Sequence, residues 1–323
     1  MDDGSFCLGI DVGGTKLSAA LFSRDGEILQ RKKLPLDRAG GDEAASQIVS
    51  LLAEYEGGDQ APRAIGIVVP GVVFHSGGKV WAPNIPGWDR YPLRDRLREA
   101  TEIEVVLDSD RAAYVLGEQW CGAARGVRDV VFLAVGTGIG AGILVDGRLC
   151  RGAGDIAGAV GWFALTPESR PDYLRRGCFE SEASGTAVGE RAVRIIGDGQ
   201  STLVSDMVDG DLTRVTAETV VDAARRGDAL ARGVLDETVT YLAMGIANIV
   251  SILNPEIVVL GGGLMQAGDL LLDPIAAELK KWAQPLAAEE VRLVLSALGE
   301  DAGLFGAGKL AWNAVTTSRV DAT

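Results

Sequence analysis

Residues Leu8–Lys16 read LGIDVGGTK. Small and apolar residues run into a carboxylate at Asp11, and Gly13, Gly14, Thr15 and Lys16 follow after one valine. An apolar run closed by glycines reads as a strand entering a tight turn. Glycine lets backbone N–H groups approach an anion closely and converge on it. Gly13, Gly14 and Thr15 can therefore cradle a phosphate, and Lys16 either adds a cation or is a strand-edge lysine. Asp11 is a poor phosphate contact, because both are anions. It suits a hydrated Mg2+, which keeps several waters and takes one or two carboxylates. On these residues alone, an ordinary hairpin with Asp11 at its turn is the competing reading.

The pattern recurs. CLGIDVGGTKLSAALFSRDGEIL, from Cys7, matches VFLAVGTGIGAGILVDGRL, from Val131. Each is an apolar strand, a glycine turn, a second strand, a polar turn (Arg24-Asp25-Gly26; Asp146-Gly147) and a third strand. A spacing of roughly half the chain points to two similar lobes rather than a solenoid. Gly136, Thr137 and Gly138 then form a second phosphate cradle. A third cluster, Gly261-Gly262-Gly263, follows the strand EIVVL and precedes LMQAG, a strand–glycine–helix order that faces nucleotides.

Around these turns, apolar segments alternate with helical patterns, the mark of an α/β protein. Strands are expected at Phe6–Ile10, Leu17–Phe22, Ile28–Lys33, Ala64–Val69, Val105–Leu107, Val130–Val135, Gly142–Val145 and Ile257–Leu260. Helices are expected at Glu43–Tyr55, Arg111–Cys121, Ala217–Arg226 and from Leu230 to Leu253, where Asn254-Pro255 ends the last. The 323 residues, 47% hydrophobic and 24% charged, suffice for two cores. A net charge of −14 repels nucleic acid. No apolar run of about 18 residues is present to span a membrane, and the acidic start MDDGSF leads to an expectation of no signal peptide. Four scattered cysteines (Cys7, Cys121, Cys150, Cys178) read as free thiols in a reducing cytoplasm. With His75 the only histidine, a His/Cys zinc site is not expected, and His75 reads as a loop or surface residue.

In VLDSDRAAYVLGEQW (Val106–Trp120) a strand ends and a helix begins at Asp110. Ser109 or Asp110 can cap that helix. Asp110 can also serve as a general base, its ionised form favoured by the helix N-terminus. The two readings are compatible.

Together these motifs resemble the ROK family (repressors, open reading frames and sugar kinases) of the actin, sugar-kinase and heat-shock ATPase superfamily. The resemblance is carried by IDVGGTK, APNIPGW (Ala82–Trp88), SDRAAYVLGE, VGTGIGAGI, GCFESEASG (Gly177–Gly185) and ANIVSILNPEIVVLGGG (Ala247–Gly263), in that order. It implies a two-lobed actin-like sugar-kinase fold with duplicated βββαβα-type lobes and an active-site cleft between them. A small N-terminal lobe of residues 1–118 and 303–323 and a larger one of 119–302 are expected, the lobe change falling near Leu116–Arg125. The helix of AGLFGAGKLAWNAV (Ala302–Val315) is expected to return to the first lobe. The implied reaction is ATP-dependent phosphorylation of a sugar hydroxyl, with Mg2+. Asp110 matches the catalytic aspartate and Asp11 the metal-facing one. Gly136, Thr137 and Gly138 match the second phosphate loop, and Gly261 and Gly262 the adenosine end. Gly71 (in VVPGVV), Asn84 and Glu180 match positions in or near the sugar pocket, where Ser109 also lies. A homo-oligomer, a dimer first, is implied. With the first loop at residue 8, no winged helix is expected ahead of it.

The chain departs from the family at particular residues. NDAN reads Ser109-Asp110-Arg111-Ala112, and GEIGH reads Gly158-Ala159-Val160-Gly161-Trp162. A sugar-binding glutamate is thus Ala159, a zinc-binding histidine is Trp162, and only Cys178 is left of the cysteine cluster, so no zinc is expected. Losing groups that bond a hydroxyl changes or relaxes specificity. Trp162 can stack on a sugar face or fill the space of the zinc module, and Asp108 is a replacement acceptor or a solvated carboxylate. Glucose or another hexose is the default acceptor, with an amino sugar or a cyclitol as alternatives. A non-catalytic sugar or nucleotide sensor is the rival from another class; the retained Asp11, Asp110 and glycine turns oppose it.

Overall fold

The computed structural model describes residues 5–37, 39–56, 61–197 and 202–320, apart from the side chains of 317–320. The MDDG start and the last three residues, which the expected lobe bounds include, lie outside the described residues. The strands are β1 (Cys7–Val12), β2 (Lys16–Phe22), β3 (Ile28–Pro35), β4 (Ala64–Val69), β5 (Val72–Phe74), β6 (Lys79–Trp81), β7 (Glu104–Ser109), β8 (Val130–Val135), β9 (Ile139–Val145), β10 (Arg148–Leu149), β11 (Ile257–Gly261) and β12 (Arg292–Leu295). One five-stranded sheet has the order β3-β2-β1-β4-β7 and another the order β10-β9-β8-β11-β12. β1 pairs antiparallel with β2 and parallel with β4, which pairs parallel with β7. β8 pairs antiparallel with β9 and parallel with β11, which pairs parallel with β12. The repeated sequence pattern is therefore a repeated topology. The central strands β4 and β11 are buried at every residue, as parallel strands covered on both faces must be.

The helices are α1 (Gly41–Glu56), α2 (Leu93–Arg98), α3 (Asp110–Cys121), α4 (Pro171–Arg176), α5 (Cys178–Ala183), α6 (Gly185–Gly197), α7 (Leu203–Asp206), α8 (Ala217–Arg225), α9 (Ala229–Leu253), α10 (Gly268–Leu279), α11 (Pro285–Glu290) and α12 (Ala302–Val320). α9 starts at Asp228, whose side chain accepts from Ala231 N, and ends at Asn254 in the left-handed conformation before Pro255. It buries Val234, Leu242, Ile246 and Val250 almost completely, each contributing about 1.5–3 kcal/mol. Among the described residues, no helix is long and apolar enough to cross a membrane.

Two compact units result. The first holds residues 1–126, 149–157 and 297–323, and the second 127–148 and 158–296. These bounds differ by several residues from 118/119 and 302/303, because α3 runs undivided to Cys121. Residues 149–157 join the first unit through Arg151 and Asp155, which bond Asp108 and His75. Within the first unit α12 packs on the sheet and on α3 with backbones nearly touching. A Cβ at Gly66 would fall 2.0 Å from Ala307 O, and one at Gly306 would fall 1.9 Å from Ala113 O. Only glycine permits such an approach.

Candidate active site

In the first unit, the β1–β2 hairpin is closed by a hydrogen bond from Gly13 N to Lys16 O of 2.8 Å. Gly14 and Thr15 are exposed. A Cβ on Gly14 would lie 3.4 Å from Asn84 Cβ, so the turn rests against Asn84, itself an exposed residue of the Ala82–Trp88 segment. Lys16 opens β2, and its Nζ is 3.0 Å from Glu300 Oε2. Asp11 lies two residues before the turn. Burial and the nearby Asp110 charge push its carboxyl up to about 7. Its Oδ2 faces Gly303, where a Cβ would come within 2.8 Å of that oxygen. An oxygen donor whose ionised form is held at a cost gains from a cation beside it, which fits a hydrated Mg2+.

β7 runs directly into α3. Ser109 is the cap: its Oγ accepts from Ala112 N at 3.3 Å. Asp110 is the first residue of α3. Its Oδ1 accepts from Arg111 N at 2.8 Å and its Oδ2 from the Tyr114 hydroxyl at 3.3 Å. Burial raises its carboxyl to about 6, against the lowering effects of the Arg111 charge and these donors. Such a carboxylate is ionised at neutral pH and still basic enough to accept a hydroxyl proton. Gly71 lies between β4 and β5 with its Cα facing Trp81 O; a Cβ there would be 2.1 Å away, so no other residue fits.

The solvated reading of Asp108 is overturned. Its side chain is 4% exposed, and its Oδ2 accepts from Arg151 Nε at 3.0 Å and Nη2 at 2.6 Å. His75 is a loop residue one-third exposed, with Nδ1 2.8 Å from Asp155 Oδ1 and Nε2 3.8 Å from Asp108 Oδ2. The desolvation of Asp108 is offset by the guanidinium, so that carboxylate is committed within the protein.

In the second unit, Gly136 N donates to Gly138 O at 2.9 Å across the β8–β9 turn. Gly136 O accepts from Gly185 N at the start of α6 at 2.7 Å, and Thr137 O accepts from Thr186 Oγ1 at 2.9 Å. Glu180, on α5, backs this turn: its Oε2 accepts from Ile139 N at 2.8 Å and lies where a Cβ on Gly138 would come within 2.6 Å. Gly261 ends β11, and Gly262 follows at φ +93, where a Cβ would sit 2.5 Å from Val135 O. That glycine needs both the left-handed conformation and the space.

Trp162 ends a 3-10 turn at 58% exposure, so it does not fill an interior space as one reading had it. Next to it, the rings of Phe163 and Phe179 stack with centroids 6.5 Å apart. Buried Cys178 accepts from Leu165 N at 3.4 Å. Among the described residues no group of three or more His, Cys, Asp and Glu is arranged to hold a metal.

The first unit thus brings together Asp11, Asp110 and the Gly13–Lys16 turn with Asn84, Gly71 and Ser109. The second brings Gly136–Gly138 together with Glu180 and, at the end of β11, Gly261 and Gly262. Sequence reasoning missed Tyr114 and Gly303. The signal for Tyr114 is its position four residues after Asp110 on one helix face; Gly303 has none, since the approach of α12 to β1 is long-range.

The ROK family model matches residues 7–314. A glucokinase from Thermotoga maritima is 36% identical over 309 residues, covering 94% of this chain and 96% of that protein. One from Halalkalibacterium halodurans is 34% identical over 312 residues, covering 94% of each. Among solved structures, a ROK family glucokinase from Streptomyces griseus in complex with glucose and AMPPNP matches at a TM-score of 0.78 and 29% identity, covering 96% of this chain and 100% of that one.

Proposed function

The chain belongs to the ROK family, and we propose that it transfers the γ-phosphoryl group of ATP to a hydroxyl of a hexose, with glucose as the default acceptor. It is a sugar kinase by its relatives; the roles of individual residues are our reading. The observation that carries them is the state of Asp110: a carboxylate at a helix start, held on both oxygens and tuned to about 6. Within the first unit, Asn84 and Ser109, with the backbone at Gly71, hold the acceptor. Asp110 takes the proton of the attacking hydroxyl as the phosphoryl group transfers in line. In the first turn the N–H groups of Gly14 and Thr15 face phosphate, and in the second those of Thr137 and Gly138, since the Gly13 and Gly136 N–H groups close the turns; Gly261 and Gly262 face the adenosine. Asp11 would hold Mg2+, which would supply charge neutralisation on the phosphates. Most of the catalysis is then positioning and charge stabilisation.

Ala159, Ser109 and Trp162 favour a second acceptor class, an amino sugar or a cyclitol, because each alters what the pocket offers a hydroxyl. A homodimer is the expected assembly. ADP release with Mg-ATP against hexoses, amino sugars and cyclitols tests the reading, with Asp110→Asn in parallel. We expect turnover on one acceptor class and a loss of roughly 10²–10⁴ in kcat in the variant. Full activity in Asp110→Asn would move the base elsewhere. ATP binding with turnover on no acceptor would favour the sensor.

A further inference from the structure

Asp110 has a partner that the proposed chemistry does not use. Tyr114 lies one turn along α3, and its hydroxyl donates to Asp110 Oδ2 at 3.3 Å, while Arg111 N donates to Oδ1 at 2.8 Å. The terminal torsion of an aspartate is broad and soft, so one hydrogen bond leaves the carboxylate free to swing. A second, from a different direction, removes that freedom. The phenol is suited to the task. Burial, followed by the charges of Asp110 and Asp11, opposes its ionisation, so it stays a donor. Its ring is backed by α12: a Cβ on Gly303 would lie 3.3 Å from Tyr114 Cε1 and 2.8 Å from Asp11 Oδ2.

We propose that Tyr114 is a positioning residue for Asp110, fixing the plane of its carboxylate so that a free lone pair faces the acceptor hydroxyl. The inference rests on the reading of Asp110 as the base. A base displaced by a fraction of an ångström or rotated out of line loses rate without losing ground-state binding.

Tyr114→Phe keeps the ring and removes only the hydroxyl. We expect kcat to fall roughly five- to thirtyfold, the worth of one hydrogen bond to a charged group at long range. The KM values for ATP and acceptor should stay within about twofold, and the melting temperature within about two degrees. The decisive comparison is a double-mutant cycle. If Tyr114 acts through Asp110, adding Tyr114→Phe to Asp110→Asn produces no further loss, because no base is left to orient. Unchanged kcat in Tyr114→Phe, a change confined to KM, or an equal further loss in the Asp110→Asn background would each overturn the proposal. Full activity of Asp110→Asn alone would instead overturn the reading of Asp110, so the two failures are distinguishable. A kcat loss accompanied by a large fall in melting temperature, and additive in the cycle, would mark Tyr114 as a packing residue and also overturn the proposal.

Discussion

The turn after β1 and the turn after β8 share a plan and differ in content. In each, the last residue but one of the strand pairs with a parallel neighbour: Asp11 with Val68, and Ala134 with Gly261. In each, the first glycine N–H closes the turn, Gly13 to Lys16 O and Gly136 to Gly138 O. One thus carries a carboxylate where the other carries a methyl group. Their supports differ as well. The first is flanked by the largely exposed Lys16–Glu300 pair, and the second by Glu180, whose Oε2 accepts from Ile139 N. A backbone anion cradle can be duplicated at little cost, because N–H groups are neutral. A buried carboxylate cannot: Asp11 already has its ionisation opposed by burial and by Asp110. The backbone cradle is thus present in both turns, and the carboxylate at the strand end in only one.

The largest effect that separates the turns is expected at Asp11. Asp11→Asn should lower kcat by at least about a hundredfold in the presence of Mg-ATP, through lost charge neutralisation. It should also raise stability without ligand. A carboxyl whose folded value, about 7, exceeds the usual unfolded one near 4 favours folding when protonated. The cost of keeping it in the folded state is absent below pH ~4 and grows as pH rises through 7. Melting curves without ATP should therefore show Asp11→Asn above wild type at pH 8, the gap closing by pH 4. Equal melting temperatures at pH 8 would mean that the carboxyl is not destabilised there.

Much of this was legible in the sequence because it is local. The runs that became β4 and β8 are uninterrupted apolar segments and have the expected bounds, Ala64–Val69 and Val130–Val135. Asp146-Gly147 adopts positive φ at both residues, as a two-residue hairpin requires. β9 starts at Ile139 rather than Gly142, since Gly140 and Gly142 pair in the ladder but carry no hydrophobic signal. α10, which contains Pro274, is absent from the expected helices. In the site, Asp110 and both glycine turns announce themselves by spacing. Arg151 on Asp108, Gly303 beneath Asp11 and the outward ring of Trp162 do not, because each depends on chain segments far apart in sequence or on packing that leaves no periodic trace.

An intermediate effect should fall on the second turn. Glu180→Ala leaves Ile139 N–H without its acceptor and loosens Gly136–Gly138. Steady-state kinetics should show the KM for ATP rising roughly tenfold, in keeping with about 1–1.5 kcal/mol for such a bond. A rise confined to the KM of the acceptor would assign Glu180 to the sugar alone and remove the difference in support between the two turns.

The smallest effect is expected at Lys16. Its ammonium could serve the phosphates, but in this structure it is engaged by Glu300 with both side chains well exposed, at 41% and 69%. A pair in that setting contributes at most about 1 kcal/mol, since water screens it and two long side chains must be held. Lys16→Met should therefore shift the melting temperature by no more than a few degrees and the KM for ATP by less than about threefold. An increase beyond tenfold would show that the lysine leaves Glu300 for the nucleotide when ATP binds. The first turn would then contribute a cation as well as an anion, against a second turn whose neighbouring carboxylate, Glu180, is taken up by Ile139 N–H, and the asymmetry between the two would be greater than the ligand-free geometry displays.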